Sequence, residues 1–381
     1  MMQHLRPLLT SAMFALAITA SPSVAAGINA GERQATEDLP FQSQAIAAFD
    51  TPWALAFLPD GRLLVTEKPG RIYLTDTKGT KTKLSGVPEV AASGQNGLLD
   101  VAVSPDYGST RQVYLTYVAP SGEGTRLVLA RARLEEEEGR AKLAGLEEIW
   151  RQSPAGGGGQ PGGIIAFDPE GKHLFLTVGD RMRPESAEDP DQARGKILRL
   201  TLDGKPAPGN PEEGRGGTRD ETWTTGHRNQ YGLAFSPDGS LWEHEMGPRG
   251  GDEFNRIEPG VNYGWGEVSE GDNYSGKPIP RHATRPEFRA PPLFWNPVIA
   301  PAGMVFYDGP MFPSWKGSAL IGGLAATALV RVTLDVKDGA DEAERFQMED
   351  RIRDVAVARD GAVWVIEDNS PGRLLRLTPK N

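Results

Sequence analysis

The residues best suited to chemistry crowd into one stretch, Glu243-His244-Glu245-Met246-Gly247-Pro248-Arg249-Gly250-Gly251-Asp252-Glu253, which runs on to Asn262-Tyr263-Gly264-Trp265. Glycines and a proline punctuate it, so it reads as a loop rather than a helix or an interior strand. Such a backbone can turn carbonyl oxygens one way, and Asp252 and Glu253 add charged oxygens, a donor set that suits a hard cation such as Ca²⁺. The plainer alternative is a surface turn with a solvated acidic pair. Upstream, Gly226-His227-Arg228-Asn229-Gln230-Tyr231-Gly232-Leu233-Ala234-Phe235 leads from a polar corner straight into an apolar strand. In Asp350-Arg351-Ile352-Arg353-Asp354-Val355, strand alternation puts Arg351 and Arg353 on one face, where they could grip carboxylates. Two solvated arginines on an edge strand is the alternative.

The elements that must hold these groups follow from a repeat: an apolar strand, a Pro-Asp-Gly-like turn, then a second apolar strand. Six copies are legible, at residues 53–65, 99–117, 164–178, 231–242, 303–321 (looser) and 352–366. Asp-Gly before a β-rich run signals a hairpin, and alternating apolar residues give the strand period. The expectation is therefore an all-β, six-bladed β-propeller with long inter-blade loops, with a pair of β-sandwiches as the alternative. Helix is scarce. Only 134–146, with its acidic run 135–138, looks locally helical, and a solvated hairpin tip explains it equally well. Long Gly- and Pro-rich insertions at 152–163, 182–194, 206–222, 247–292 and 310–316 are the loops from which a propeller builds a ligand site at one mouth of its channel.

Bulk properties narrow the setting. Basic residues His4 and Arg6, an apolar run over 8–20 and small residues at 23–26 read as a cleaved signal peptide, 1–26, ahead of a single domain, 27–381. No other run approaches the roughly 20 apolar residues of a membrane span, so the mature chain is expected to be periplasmic or secreted. With no cysteine, it is held without disulfides. A net charge of −10 argues against nucleic acid or an anionic membrane as partner.

The Arg228 corner and the Gly247–Asp252 turn together resemble the soluble pyrroloquinoline quinone (PQQ) dependent sugar dehydrogenases of the glucose/sorbosone dehydrogenase family, with their GHRNPQGLAF-like corner and GPRGGDE…NYGW-like loop. The likeness covers nearly all of the chain after the leader. It implies an exported enzyme that oxidises an aldose to a lactone by hydride transfer to PQQ over Ca²⁺ and passes electrons to an external acceptor. It implies that Arg228 and Asn229 face the quinone, that Arg351 and Arg353 bind its carboxylates, and that Gln95 and Tyr274 stand beside it. It also implies a catalytic Ca²⁺ on the carbonyls of Gly247 and Pro248, and a further Ca²⁺ at Glu253 and the Tyr263 carbonyl. A flat tricarboxylic ortho-quinone needs cations, a Lewis acid and flat surfaces, and the chain offers each. For Gln95, Tyr274 and Tyr263 the alternatives are an ordinary turn residue and core or rim packing.

Three positions depart from the family pattern. Gln160, in Gly159-Gln160-Pro161-Gly162-Gly163, stands where the family carries its histidine general base, and a neutral amide cannot take a proton. Losing a general base typically costs about 10²–10⁴ in rate. Ala325 replaces a cation, and Met246 replaces a histidine. His227 and His244 are candidates for a substitute base or are structural; Asp180 reads as a turn cap. The competing functions are a PQQ- or carbohydrate-binding propeller without turnover and a Ca²⁺-dependent lactonase-like hydrolase.

Overall fold

The computed structural model describes residues 27–336 and 339–380, so the expected leader lies outside the described residues. Each repeat forms the first two strands of an antiparallel group. Pro52–Phe57 and Leu63–Glu67 pair across the Asp60-Gly61 turn, where the Asp60 carboxylate accepts the Arg62 amide at 3.0 Å. Leu98–Val103 pairs with Gln112–Ser121, Gly162–Phe167 with His173–Val178, and Gln230–Phe235 with Leu241–Glu245. Pro301–Phe306 pairs with Ala319–Gly323, and Ile352–Val357 with Val363–Glu367.

Further strands widen these pairs into sheets of four, five or eight strands. The eight-stranded sheet is two antiparallel groups joined where Lys81–Ser85 runs parallel to Arg140–Arg151. Ile28–Asn29 adds a parallel edge to Leu293–Trp295. Phe41–Phe49 pairs with Gly372–Pro379, so the first long strand completes the last sheet. The opening strands touch in chain order, and Ile352–Val357 returns to Pro52–Phe57. The result is an all-β propeller.

Neighbouring sheets are joined by side chains that reach the next sheet's backbone. Asp100 accepts the Ile165 amide and Asp354 the Leu55 amide, both at 2.8 Å, while the Thr66 hydroxyl donates to the Leu99 carbonyl. Apolar residues fill the seams: Leu63 and Val65 of the first sheet pack with Trp364, Ile366 and Leu374 of the last. Because second strands are packed on both faces, every residue of Leu63–Glu67 and of Leu241–Glu245 is buried.

One local expectation is decided and one corrected. Residues 134–146 form no helix but the hairpin tip that was its alternative. They lie in the hairpin of Gly124–Glu137 and Arg140–Arg151, whose turn residues Glu138 and Gly139 have φ of 49° and 78°, the paired positive values of a tight hairpin turn. The stretch 243–253 is not all loop either. Leu241–Glu245 and Asp252–Ile257 are interior strands, with Glu245 opposite Glu253, and only 246–251 turn between them. Polar composition hid these strands, whose carboxylates are enclosed by the sheet rather than solvated: Asp252 is 1% exposed and Glu253 5%. No helix among the described residues is long and apolar enough to cross a membrane.

Candidate active site

The turn at 246–251 is held from below by Asp252. Its Oδ1 accepts the Gly247 amide at 2.8 Å, and its Oδ2 accepts the amides of Ile299 and Ala300 at 2.8 and 2.7 Å. Asp252 therefore braces the turn and clamps the next sheet to it. A side chain at Gly247 would come within 2.4 Å of the carbonyl oxygens of Gly250 and Gly251, so the close approach requires glycine there.

Arg228 meets this turn from the polar corner. Its amide donates to Glu245 Oε2 at 3.0 Å, and its Nη1 donates to the carbonyls of Met246 and Gly247 at 2.8 and 2.9 Å. Nη2 reaches the Tyr274 hydroxyl at 3.3 Å, with the Trp265 ring 5.2 Å from the guanidinium. Tyr274 is 69% exposed and forms a rim. Asn229, fully buried, accepts the Gly162 amide at 3.2 Å and sets its Nδ2 near the Met246 sulfur at 3.9 Å.

Gln160 lies on the other side of Arg228. Its amide orientation follows from its neighbours: the side-chain oxygen accepts Arg228 Nη2 at 2.6 Å and the nitrogen donates to Asp180. Its own backbone amide donates to Gln95 Oε1 at 2.8 Å. Asp180 also accepts Trp265 Nε1 and the Met182 amide, both at 2.8 Å. Burial pushes its carboxyl up to about 6, against the pull of the Trp265 hydrogen bond and the Arg228 charge. Gln160, Arg181 and Met182 all have positive φ, at 52°, 59° and 63°. Such conformations in residues other than glycine are costly and gather where surrounding structure enforces them for a purpose. Arg181 supplies that enforcement, donating to Asn96, Gly159 and Thr125 from a fully buried position.

Beside this network opens a cavity of about 470 Å³. Gln95, Met246, Arg351 and Arg353 line it, as does Ala325, which brings no charge. Arg351 and Arg353 do share a face, and both are held by Asp368, one on each carboxylate oxygen, at 2.6 and 2.8 Å. Arg353 lies 5.9 Å from the Tyr231 ring, which packs edge-on against Trp53 at 5.6 Å. Met246 is the member of the Gly247 turn that reaches this cavity; Arg228, Asn229, Gln160, Gly247, Pro248 and Tyr274 are not among its lining residues, and Gln160 touches it through Gln95.

Sequence reasoning missed Lys68, Asp368, Trp53 and Tyr231 as lining residues. A signal for the first two was present. Lys68, Asp180, Met246, Ala325 and Asp368 each follow, by one or two residues, the second strand of their repeat. Four of the five, all but Asp180, line the cavity, so that strand end supplies much of its mouth.

The expected second calcium position is differently furnished. The Tyr263 carbonyl is 3.0 Å from His282 Nε2, and His282 Nδ1 is 3.1 Å from Glu270. Burial opposes charging of His282, yet the Glu253 charge and the Glu270 hydrogen bond hold its pKa up at about 9. A calcium ion on Tyr263 would have to displace this imidazolium. His227 and His244 are fully enclosed and burial pushes both down to about 3, so neither presents a base to the cavity. The His244 ring instead covers Gly232, where a Cβ would lie 2.1 Å from Nε2. His173 is paired with Asp168 in its turn.

A cationic, ring-lined hollow at the loop end of a propeller, with buried polar groups converging beside it, defines a ligand-processing propeller of the enzyme type. The chain belongs to the glucose/sorbosone dehydrogenase family: the model described as "Glucose / Sorbosone dehydrogenase" matches residues 49–376. It is 37% identical over 345 residues to the aldose sugar dehydrogenase YliI of Escherichia coli K12, covering 87% of this chain and 91% of that one. It is 27% identical over 413 residues to the quinoprotein glucose dehydrogenase B of Acinetobacter calcoaceticus, covering 86% and 85%. Among solved structures it resembles the PQQ-bound aldose sugar dehydrogenase of Streptomyces coelicolor, with a TM-score of 0.72, 31% identity, and coverage of 89% of this chain and 98% of that one.

Proposed function

We propose that the chain is an exported, PQQ- and Ca²⁺-dependent aldose dehydrogenase that releases a lactone and passes electrons to an external acceptor, working slowly for want of a histidine base. We count the eight-stranded sheet as two blades, which makes the propeller six-bladed, and take 27–381 as one domain freed of a leader at 1–26. The observation that carries this reading is the cavity itself. Arg351, Arg353 and Lys68 bring cations to a hollow whose walls include Trp53, Tyr231 and Gln95. Its volume suits a drug-sized planar ligand, since such sites span about 300–1,000 Å³.

Bound there, PQQ would supply an ortho-quinone as hydride acceptor, with Ca²⁺ as Lewis acid. The chain's own residues do the rest. Arg353 and Arg351, held by Asp368, would bind ligand carboxylates, and Lys68, which donates to the Gly94 carbonyl at 2.8 Å, would add a third cation. The Gly247 carbonyl already accepts Arg228 and keeps a second lone pair, so it and the Pro248 carbonyl are the donors available to calcium. The Glu253–Tyr263 position fits calcium poorly while His282 occupies the carbonyl. Gln160 can orient a sugar hydroxyl through its amide but holds no site for the proton that leaves it. That same amide favours one alternative, a propeller that binds PQQ or a sugar without turnover.

The test is reconstitution of the full mature chain with Ca²⁺ and PQQ. A shifted quinone spectrum and slow dye reduction with aldoses are expected. A shifted spectrum with no dye reduction moves the assignment to a binder, and no spectral shift at all overturns the quinoprotein reading.

A further inference from the structure

Behind the corner that presents Arg228 lies a second cluster that the dehydrogenase reading does not use. His227, Glu243 and Glu245 are all buried, and one donor atom from each lies within 4.8 Å of the others. His227 Nδ1 is 3.3 Å from Glu245 Oε2 and 3.8 Å from Glu243 Oε1. Glu243 and Glu245 are two apart on the strand Leu241–Glu245, so alternation aims both carboxylates the same way.

The hydrogen bonding around this cluster is incomplete. Neither His227 Nδ1 nor Glu243 Oε2 has a hydrogen-bond partner, and Asn255, whose Nδ2 tethers Glu243 at 2.9 Å and Glu253 at 3.3 Å, leaves its Oδ1 bare. Buried polar atoms are rarely left so, because each orphan costs about 1–3 kcal/mol. The neighbouring cation is committed elsewhere: Lys196 Nζ donates to the carbonyls of Ser186, Ala187 and Arg194. The other imidazole nitrogen, Nε2, is fixed 2.9 Å from the Thr224 hydroxyl. Anchoring of the far nitrogen is how metal-binding histidines are usually oriented.

We propose that His227 Nδ1 and the carboxylates of Glu243 and Glu245 hold a divalent transition metal of the zinc or manganese kind. The spacing agrees. Donors about 2.1 Å from a tetrahedral ion stand about 3.4 Å apart, so the observed separations close on an ion with small side-chain shifts. The imidazole nitrogen decides the class, since calcium takes oxygen donors whereas zinc and manganese accept mixed nitrogen and oxygen sets. The site shares no ligand with Gly247, Pro248 or Tyr263; Glu253 is its neighbour, opposite Glu245 on the next strand and tied to Glu243 through Asn255. Its consequence for the active site is positional. Glu245 also accepts the Arg228 amide, and His227 precedes Arg228, so the ion would lock the corner from which Arg228 reaches the Gly247 turn.

The experiment needs neither quinone nor sugar, so it fails or succeeds independently of the dehydrogenase assignment. The full mature chain is analysed for bound metal as purified, then stripped with chelator and titrated separately with Zn²⁺, Mn²⁺ and Ca²⁺ while Tm is followed. One equivalent of transition metal, and a Tm rise of about 4 °C at a hundredfold excess over Kd, are expected with Zn²⁺ or Mn²⁺. Glu243→Gln, which keeps shape but not charge, should abolish that rise. Should the variant fail to fold, Co²⁺ added to the stripped wild-type chain gives a second readout, a visible ligand-field band expected from mixed imidazole and carboxylate ligation. Absence of retained metal together with no Tm response to Zn²⁺ or Mn²⁺ overturns the site, as does a response to Ca²⁺ alone, an undiminished response in Glu243→Gln, or no cobalt band.

Discussion

Replacing Gln160 with histidine tests the proposal that the site works slowly for want of a base at this position. The backbone there sits at φ 52°, a left-handed conformation that histidine tolerates better than most residues, so the substitution adds little strain. Gln160 now donates to Asp180 on one side and accepts from Arg228 on the other. An imidazole in its place can donate one N–H to the Asp180 carboxylate and keep its other nitrogen unprotonated. The Arg228 cation at that distance, 2.6 Å from the present amide oxygen, disfavours a second positive charge and keeps the ring neutral near pH 7. A neutral, oriented imidazole is a general base worth about 10²–10⁴ in rate, or about 3–5.5 kcal/mol of barrier. Dye reduction by the reconstituted variant with an aldose should therefore show kcat up by at least about a hundredfold, with PQQ affinity from spectral titration unchanged. If Gln160→His binds the quinone as well as wild type yet turns over no faster, Gln160 does not stand at the position where the sugar proton leaves.

Other perturbations follow from the same geometry. Arg353→Ala removes a largely enclosed cation, and PQQ should bind about ten- to a hundredfold more weakly, the cost of one charged hydrogen-bonding partner; Arg351, with half its side chain exposed, should matter less in the same spectral titration. Ala325→Lys adds a cation to the cavity wall and should tighten PQQ binding by up to about tenfold, which a flat titration would disprove. Asp180 has its folded pKa raised from 3.8 to about 6, so its contribution to stability is full below pH 3.8 and is lost as pH rises through 6. Urea unfolding of wild type against Asp180→Asn should show the balance shifting toward the variant by up to about 3 kcal/mol between pH 4 and 7; a difference independent of pH would place the Asp180 carboxyl in contact with solvent.

What could be read from the chain, and what could not, divides along one physical line. Hairpins announced by Asp-Gly turns and alternating apolar residues are local, and each of the six repeats became the opening pair of an antiparallel group. Strands whose reason for being strands is distant stayed hidden. Asp252–Ile257 carries Asp, Glu, Asn and Arg because Asp252 serves amides at 247, 299 and 300, and Asn255 ties two carboxylates across the sheet. No window of eleven residues contains those partners, so polarity there reads as loop. Phe41–Phe49 completes a sheet whose other strands lie more than 300 residues later, which no local pattern can announce. The same holds at the site. Arg351 and Arg353 were legible as a pair by alternation, but Asp368, which holds both, follows a different strand, and Lys68 comes from the far end of the chain. The rule that would have exposed them is topological: in this ring of sheets the residues just beyond four of the six second strands arrive at one common mouth. Applied to the repeats alone, it selects Lys68, Met246, Ala325 and Asp368, which line the cavity, and Asp180, which lies behind Gln160; the second repeat, whose strand Gln112–Ser121 runs on into Gly122 and Glu123, contributes no lining residue. Met246 and Ala325, the two uncharged members of that group, set one wall of the cavity apart from the cationic side formed by Lys68, Arg351 and Arg353.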